Sequence, residues 1–311
     1  MHPTLNLFVT GASGYIGGTL ARSLMADGHR VRGLTRSAGS AQRLAALGIT
    51  PVVATLDDTA LLAHEARAAD AVVHTASADH APSIDALIEA LAGSGKALVH
   101  TSGASVVGDD ARGLAAGDRV VDEDSPIVVS AVKQARRDID LRVLAAAARG
   151  IRSVVICPSL IYGTGRGLNP HSVQIPFLAE QGRALGRVPM VGTGAPVWSN
   201  VHLDDVVDLY HLALNRAPAG AFYYAENGEA SFAELARAIA QRLGLPGTVA
   251  VPADEAAARW GVPRAHFSLG SNCRVRAARA RRELGWAPQH ASVFDWIASE
   301  LPLTSPPSSS A

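Results

Sequence analysis

The chain has 311 residues, 48% hydrophobic and 18% charged, with 28 basic residues balancing 28 acidic ones. A formal charge of zero without a long basic stripe counts against nucleic acid and anionic membrane as partners, and no apolar run is long enough to cross a bilayer. Its two cysteines, Cys157 and Cys273, offer neither a disulfide lattice nor a metal set, and the N-terminus lacks the charged-then-apolar order of a secretion signal; a cytoplasmic protein with no metal is expected.

Leu5 to Thr10 is a short, β-prone apolar run that enters the turn Gly11-Ala12-Ser13-Gly14-Tyr15-Ile16-Gly17 and leaves it as an apolar-periodic helix through Ala26. Strand, glycine-punctuated turn and helix, in that order, let backbone N–H groups meet a pyrophosphate. Gly11 suits the tight turn, Gly14 leaves room for a dinucleotide and Gly17 lets helix and strand pack closely; a purely structural glycine turn is the alternative. The second strand, over 31–37, ends at Arg36, where NAD(H) sites usually offer a carboxylate to the ribose hydroxyls. Arginine suits a 2'-phosphate instead, so NADP(H) is favoured over NAD(H), with Arg32 or Arg43 adding positive field.

A helix over 40–47 and a strand over 50–54 follow, and Asp57 and Asp58 open another helix, where the dipole favours acidic groups. The fourth strand, Asp70 to Ala76, holds His74 as a packing or hydrogen-bonding residue. Beyond its carboxyl end lie Asp79 and His80, where ligands of open α/β sheets sit. A short helix over 83–91 leads to a fifth strand over 96–101, with Ser102 and Ser105 at its end. After a loop over 109–129, a helix over 130–149 is expected to turn Ala131, Ala135, Ile139, Leu141 and Leu144 towards the core. Strand 151–157 then delivers Pro158, Ser159 and Tyr162 to the same sheet edge. The alternation predicts an α/β protein, a Rossmann-type doubly wound parallel sheet.

Four motifs carry a resemblance to the extended or atypical short-chain dehydrogenase/reductases of the NAD-dependent epimerase/dehydratase group. They are the opening Thr10 to Gly17, the Cys157 to Gly163 segment, Val201-His202-Leu203-Asp204-Asp205-Val206, and Arg279 to Pro288 with its Leu284-Gly285-Trp286-Ala287-Pro288. The resemblance implies that Gly11, Ser13, Gly14, Tyr15, Ile16 and Gly17 hold the cofactor phosphates and that Arg36 lies at the adenosine end. It likewise implies that Thr75, Ala76 and Ser77 line the cofactor and that Pro158 and Ser159 lie near the nicotinamide. Lys133 resembles the family lysine that holds the nicotinamide ribose and lowers the pKa of a tyrosine. Trp198 and Asn200 fall in the passage that lines the substrate pocket of relatives. It divides the chain into an NAD(P)-binding core over 1–165, a substrate-part insertion over 166–190, a return to the core over 191–225, a mainly C-terminal substrate-binding part over 226–301 and a disordered tail over 302–311.

The departures are as informative. The expected Tyr-x-x-x-Lys reads Val129-Ser130-Ala131-Val132-Lys133, and the assisting hydroxyl falls on Gly103. A positioned proton donor supplies about 10² to 10⁴ in rate, which valine cannot. Asp79, His80, Tyr162 or the pair Ser102 and Ser105 are the candidate replacements. An oxidoreductase acting on a small or medium carbonyl or alcohol is the leading reading; a nucleotide-sugar epimerase or dehydratase, and a non-catalytic NAD(P)-binding redox sensor, stay open. The arginines Arg274, Arg276, Arg279, Arg281 and Arg282 read as a solvated helix face. The shortened passage over 76–95 implies an altered substrate mouth and a monomer or modest homodimer.

Overall fold

A computed structural model describes residues 3–304. Its centre is a seven-stranded parallel sheet in the order Ala221–Ala225, Arg152–Pro158, Ala97–Thr101, Ala71–His74, Asn6–Thr10, Arg30–Thr35, Thr50–Val53. The chain leaves Asn6–Thr10 towards one edge and returns to continue at Ala71–His74 on its other side. The crevice between the carboxyl ends of these two strands is therefore the topological switch point, where open α/β sheets bind ligands. The inner strands are buried on both faces, which is why they read as near-continuous apolar runs.

Helices Tyr15–Ala26 and Leu203–Arg216 pack together on one face, and Thr59–Ala68, Ala81–Leu91 and Gln134–Ala145 line up on the other. Neighbouring residues of one strand show the two sides: His100 faces Asp140 of the last of these helices, while Thr101 Oγ1 hydrogen-bonds Tyr210 of Leu203–Arg216 at 2.5 Å. Between the fourth and fifth strands there is a single helix, Ala81–Leu91.

The smaller part is built from short pairings: Val197–His202 between Leu160–Tyr162 and Glu229–Ser231, Val188–Val191 beside Thr248–Val251, and Val120–Val121 beside Arg274–Val275. The long loop before residue 130 is fastened to it by Asn272, whose Oδ1 accepts from the N–H groups of Gly117 and Val197 and whose Nδ2 donates to Asp109 and Ala115. Of the tail, residues 305–311 lie outside the described residues, whereas the carbonyls of Pro302 and Leu303 accept from the Arg183 guanidinium.

Two expectations are corrected. The helix expected over 130–149 is a 3₁₀ turn Ala131–Lys133, the α-helix Gln134–Ala145 and a second 3₁₀ turn; Ala131, Ala135 and Leu141 are exposed, while Ile139, Asp140 and Val143 face inward. Ile139 and Leu144 pack on the core as expected, but the inward stripe also carries charged Arg136 and Asp140, which a count of apolar residues passes over. The arginines near the end are not a solvated face either: Arg274 and Arg276 pair with Glu229, Arg281 with Glu226, and Arg279 and Arg282 with Asp124.

Candidate functional site

At the switch point the glycines set the geometry. Gly11 has φ +71°, a conformation glycine adopts freely, and a Cβ there would meet the backbone of Ala76 at 2.8 Å. A Cβ on Gly17 would fall 2.3 Å from Thr75 Oγ1 and 2.4 Å from the Gly11 carbonyl oxygen, so strand, turn and helix close only on glycine. Gly14 differs, since its Cβ would approach only the Gly11 carbonyl, at 3.0 Å. Helix Tyr15–Ala26 starts there with no side-chain cap and no acidic residue in its first turn. Its first-turn N–H groups have no side-chain cap and favour a bound anion, so this cradle fits a dinucleotide pyrophosphate. Across the crevice, Thr75 Oγ1 donates to the Thr10 carbonyl at 2.6 Å; Ala76 is exposed and Ser77 half-buried, its Oγ accepting from Asp79 N–H at 3.1 Å.

The adenosine end is expected at the tip of Arg30–Thr35. Arg36 is exposed, and neither it nor Arg43 forms an ion pair among the described residues. Arg32 is taken: its guanidinium makes a two-pronged bond to buried Glu65, at 2.5 and 2.7 Å, so it adds nothing to this end. Ser40 and Arg43, with Ser13 of the glycine turn, border a cleft of about 1140 Å³ that continues past Leu168, Pro176 and Phe177 to Arg264 and Trp296. One wall of the cleft is bound to the first helix. Tyr15 Oη donates to the Gly163 carbonyl at 2.8 Å, Arg166 N–H donates to Thr19 Oγ1 at 3.0 Å, and a Cβ on Gly18 would touch Gly167 at 3.0 Å.

At the other end, Lys133 closes the 3₁₀ turn before helix Gln134–Ala145; it is half-buried and makes no ion pair among the described residues. Burial first, and then the Arg136 guanidinium, pull its pKa below the ordinary lysine value, against the opposing field of Asp79. Arg136, on the same helix face, donates from Nε and Nη2 to the Asp79 carboxylate at 2.8 and 2.5 Å and from Nη1 to Ser105 Oγ at 3.0 Å. A Cβ on Gly103 would lie 3.3 Å from Nη1, so Arg136 fills the space beside the missing hydroxyl. The Arg136 bond, against burial, holds Asp79 below the usual carboxylate range.

A model of the family described as "NAD dependent epimerase/dehydratase family" matches residues 7–223. The chain belongs to that family. An oxidase from Acremonium sp is 32% identical, over 92% of this chain and 93% of its own, and a 3-diazoavenalumate denitrifying reductase from Streptomyces sp is 30% identical, over 95% of this chain and 100% of its own. Among solved structures, a dTDP-glucose 4,6-dehydratase from Streptomyces venezuelae with NAD and TYD bound superposes with a TM-score of 0.75 at 25% identity, covering 94% of each chain. This family member is thus an NAD(P)-dependent enzyme of oxidoreductase type. No helix among the described residues is long and apolar enough to span a membrane.

Against the family pattern, several expected site residues are placed elsewhere. Tyr162 is not on a ligand-facing loop. It is fully buried, with its hydroxyl on the His290 carbonyl at 3.1 Å and its ring between His202 and Trp296, and burial pushes its pKa up. Trp198 belongs to the core of the smaller part, its Nε1 donating to the Ser271 carbonyl at 2.7 Å and its ring against Phe232. Asn200 is buried beside Gly228, its Oδ1 without a hydrogen-bond partner. His80 caps helix Ala81–Leu91, Nδ1 accepting from Ser83 N–H while Nε2 turns to Asp57 at 3.1 Å. Ser102 is buried and donates to Asp140 at 2.9 Å; Pro158 ends its strand, and Ser159 Oγ is taken by the Ala225 carbonyl.

Three groups escaped the sequence reading. Arg136 could have been found from its place on the face of Lys133, one helical turn on. Asp140 and His100 join His74, the strand residue expected to pack or hydrogen-bond, in a buried polar chain whose distant segments left no local signal for those two. His202, Asp204 and His290 also converge, although no metal set was visible in their spacing. Part of each is engaged: His202 Nδ1 accepts from Asp204 N–H, His290 Nδ1 faces Asp205, and Asp204 Oδ1 pairs with Arg166.

Proposed function

We propose that this enzyme is an NADP(H)-dependent reductase or dehydrogenase of a small or medium carbonyl or alcohol compound, working as a monomer or modest homodimer. The observation that carries the reading is Lys133, a half-buried lysine that makes no ion pair among the described residues and lies in the field of Asp79, on the loop beyond the carboxyl end of Ala71–His74. Gly11, Ser13, Gly14, Tyr15, Ile16 and Gly17 would hold the pyrophosphate, with Thr75, Ala76, Ser77, Pro158 and Ser159 as walls. Arg36, supported by Arg43, would take the 2'-phosphate, since both are free of acidic partners among the described residues. When bound, the nicotinamide supplies or accepts hydride.

The protein's own part is to orient the substrate and move a proton. Val129 has none to give. Asp79 is held ionised by Arg136, Tyr162 lies elsewhere, and His80 is a helix cap. With the Ser102 hydroxyl donating to Asp140 and Ser105 Oγ engaged by Arg136, Lys133 is the ammonium left for the task, and its lowered pKa makes it a better acid than an exposed lysine. A sugar-nucleotide substrate is the weaker reading, because the arginines that would meet a diphosphate are paired with Glu226 and Glu229. Fluorescence titration of NADPH and NADH, followed by a carbonyl panel read by cofactor oxidation, tests the proposal. Tighter NADPH binding that weakens in Arg36→Ala is expected. Equal affinities unaffected by that change, or cofactor binding without turnover of any carbonyl, would reject it.

A further inference from the structure

We propose that Arg136 is a substrate-binding residue and that the compounds taken are carboxylates. The inference rests on the reading of the Lys133 end of the crevice as the substrate end. A guanidinium has five N–H groups in a fixed fork. Three are used on this protein, two by Asp79 and one by Ser105, which leaves one on each terminal nitrogen without a partner among the described residues. The side chain is only 17% exposed, so its position is set by its surroundings. Asp79 fixes it from the loop after Ala71–His74, Ser105 from the turn after Ala97–Thr101, and Gly103 leaves the room it occupies.

The charge balance favours an anion. Lys133 and Arg136 face Asp79, and Arg136 also feels the buried Asp140, which Arg137 faces as well; three cations against two carboxylates leave one positive charge over in a half-buried place. Arg136 also lies in the first turn of helix Gln134–Ala145, which has no acidic residue in that turn and no side-chain cap. A neutral carbonyl would leave this charge unmatched, whereas a carboxylate meets the two free N–H groups and the ammonium together.

Benzoate is a suitable probe, titrated by calorimetry into the full-length protein with and without saturating NADPH. Binding is expected in the parent, about ten- to hundredfold weaker in Arg136→Gln, in line with loss of a charged hydrogen bond. NADPH affinity should be unchanged. Asp79→Asn keeps an oxygen to hold the Arg136 fork while removing the competing negative charge, and should tighten benzoate several-fold, which provides a test even if Arg136→Gln folds poorly. No benzoate binding by the parent, equal affinity in Arg136→Gln, or weaker binding in Asp79→Asn would overturn the proposal. If NADPH itself fails to bind, the reading of the crevice fails instead, so the two failures are distinguishable.

Discussion

Asp140 lies fully buried between a good partner and an incomplete one. Ser102 donates to Oδ2 at 2.9 Å, whereas Oδ1 faces His100 Nε2 at 3.8 Å and neither of those atoms has a hydrogen bond. Beyond it, His100 Nδ1 meets His74 Nδ1 at 3.3 Å, and His74 Nε2 meets Ser83 Oγ at 3.1 Å. Burial pushes Asp140 up to about 6, despite Ser102 and the guanidinium groups of Arg137 and Arg136, which favour its charge. Burial pulls His74 down to about 4, helped by His80, and holds His100 well below its ordinary value. A carboxyl held at about 6 rather than 3.8 disfavours its ionised form by about 3 kcal/mol. Asp140→Asn keeps the shape and removes the charge, and its amide can donate to His100. The folded carboxyl keeps its proton more tightly than the unfolded one, so the parent loses stability as pH rises through about 6. The variant should therefore match the parent near pH 4 and exceed it by about 2–3 kcal/mol near pH 8. The two histidines act in the opposite sense, with stability lost as pH falls from 6.5 through about 4, and largely cancel in the comparison. Urea unfolding of both proteins across this range measures the difference. A difference that does not grow with pH, or a less stable variant near pH 8, would refute the assigned cost of the buried charge.

Gly14→Ala should fold with stability within about 1 kcal/mol of the parent yet bind NADPH at least about tenfold more weakly, because the added methyl enters the open cradle. Gly17→Ala, with backbone oxygen at 2.4 Å from the new methyl, should lose about 3 kcal/mol or more, read by thermal or urea unfolding. Tyr162→Phe should cost about 1 kcal/mol through its lost bond to His290 and leave turnover unchanged; a large fall in kcat with intact folding would return Tyr162 to the site. Arg32→Met should destabilise the protein by leaving Glu65 buried without its partner, about 3 kcal/mol by unfolding, with no selective effect on NADPH over NADH.

The sheet was legible in the sequence because its signals are local. Leu7 to Thr10 followed by Gly11 defines strand and turn without knowledge of anything distant, and each later inner strand repeats the same apolar brevity. The candidate site was legible only where a backbone conformation demands a residue type, as at Gly11 and Gly17. Where partners are far apart in the chain the reading failed. Trp198 and Tyr162 stand next to strong motifs, yet what surrounds them comes from Ser271, Phe232, His290 and Trp296. Arg136 and Asp140 broke the apolar periodicity of their helix for the same reason, since Asp79 and Ser102, the groups that justify burying them, sit on other strands' ends.

The contacts that fix the segment after Gly163 to helix Tyr15–Ala26 tie the glycine turn and one wall of the large cleft into a single mechanical body. Gly18 and Gly167 touch with no side chain between them, so there is no soft layer in which one could slide over the other. Widening of the cleft is therefore expected of its other lining residues, such as Arg264, Trp296 and Leu301. A compound that displaced the near wall would have to displace the N–H groups at the start of the helix as well. By linkage, whatever factor such a compound imposed on dinucleotide affinity the dinucleotide would impose on it in return. Order of addition would then leave the final occupancy unchanged, and the two ligands would be coupled through a few ångströms of glycine backbone.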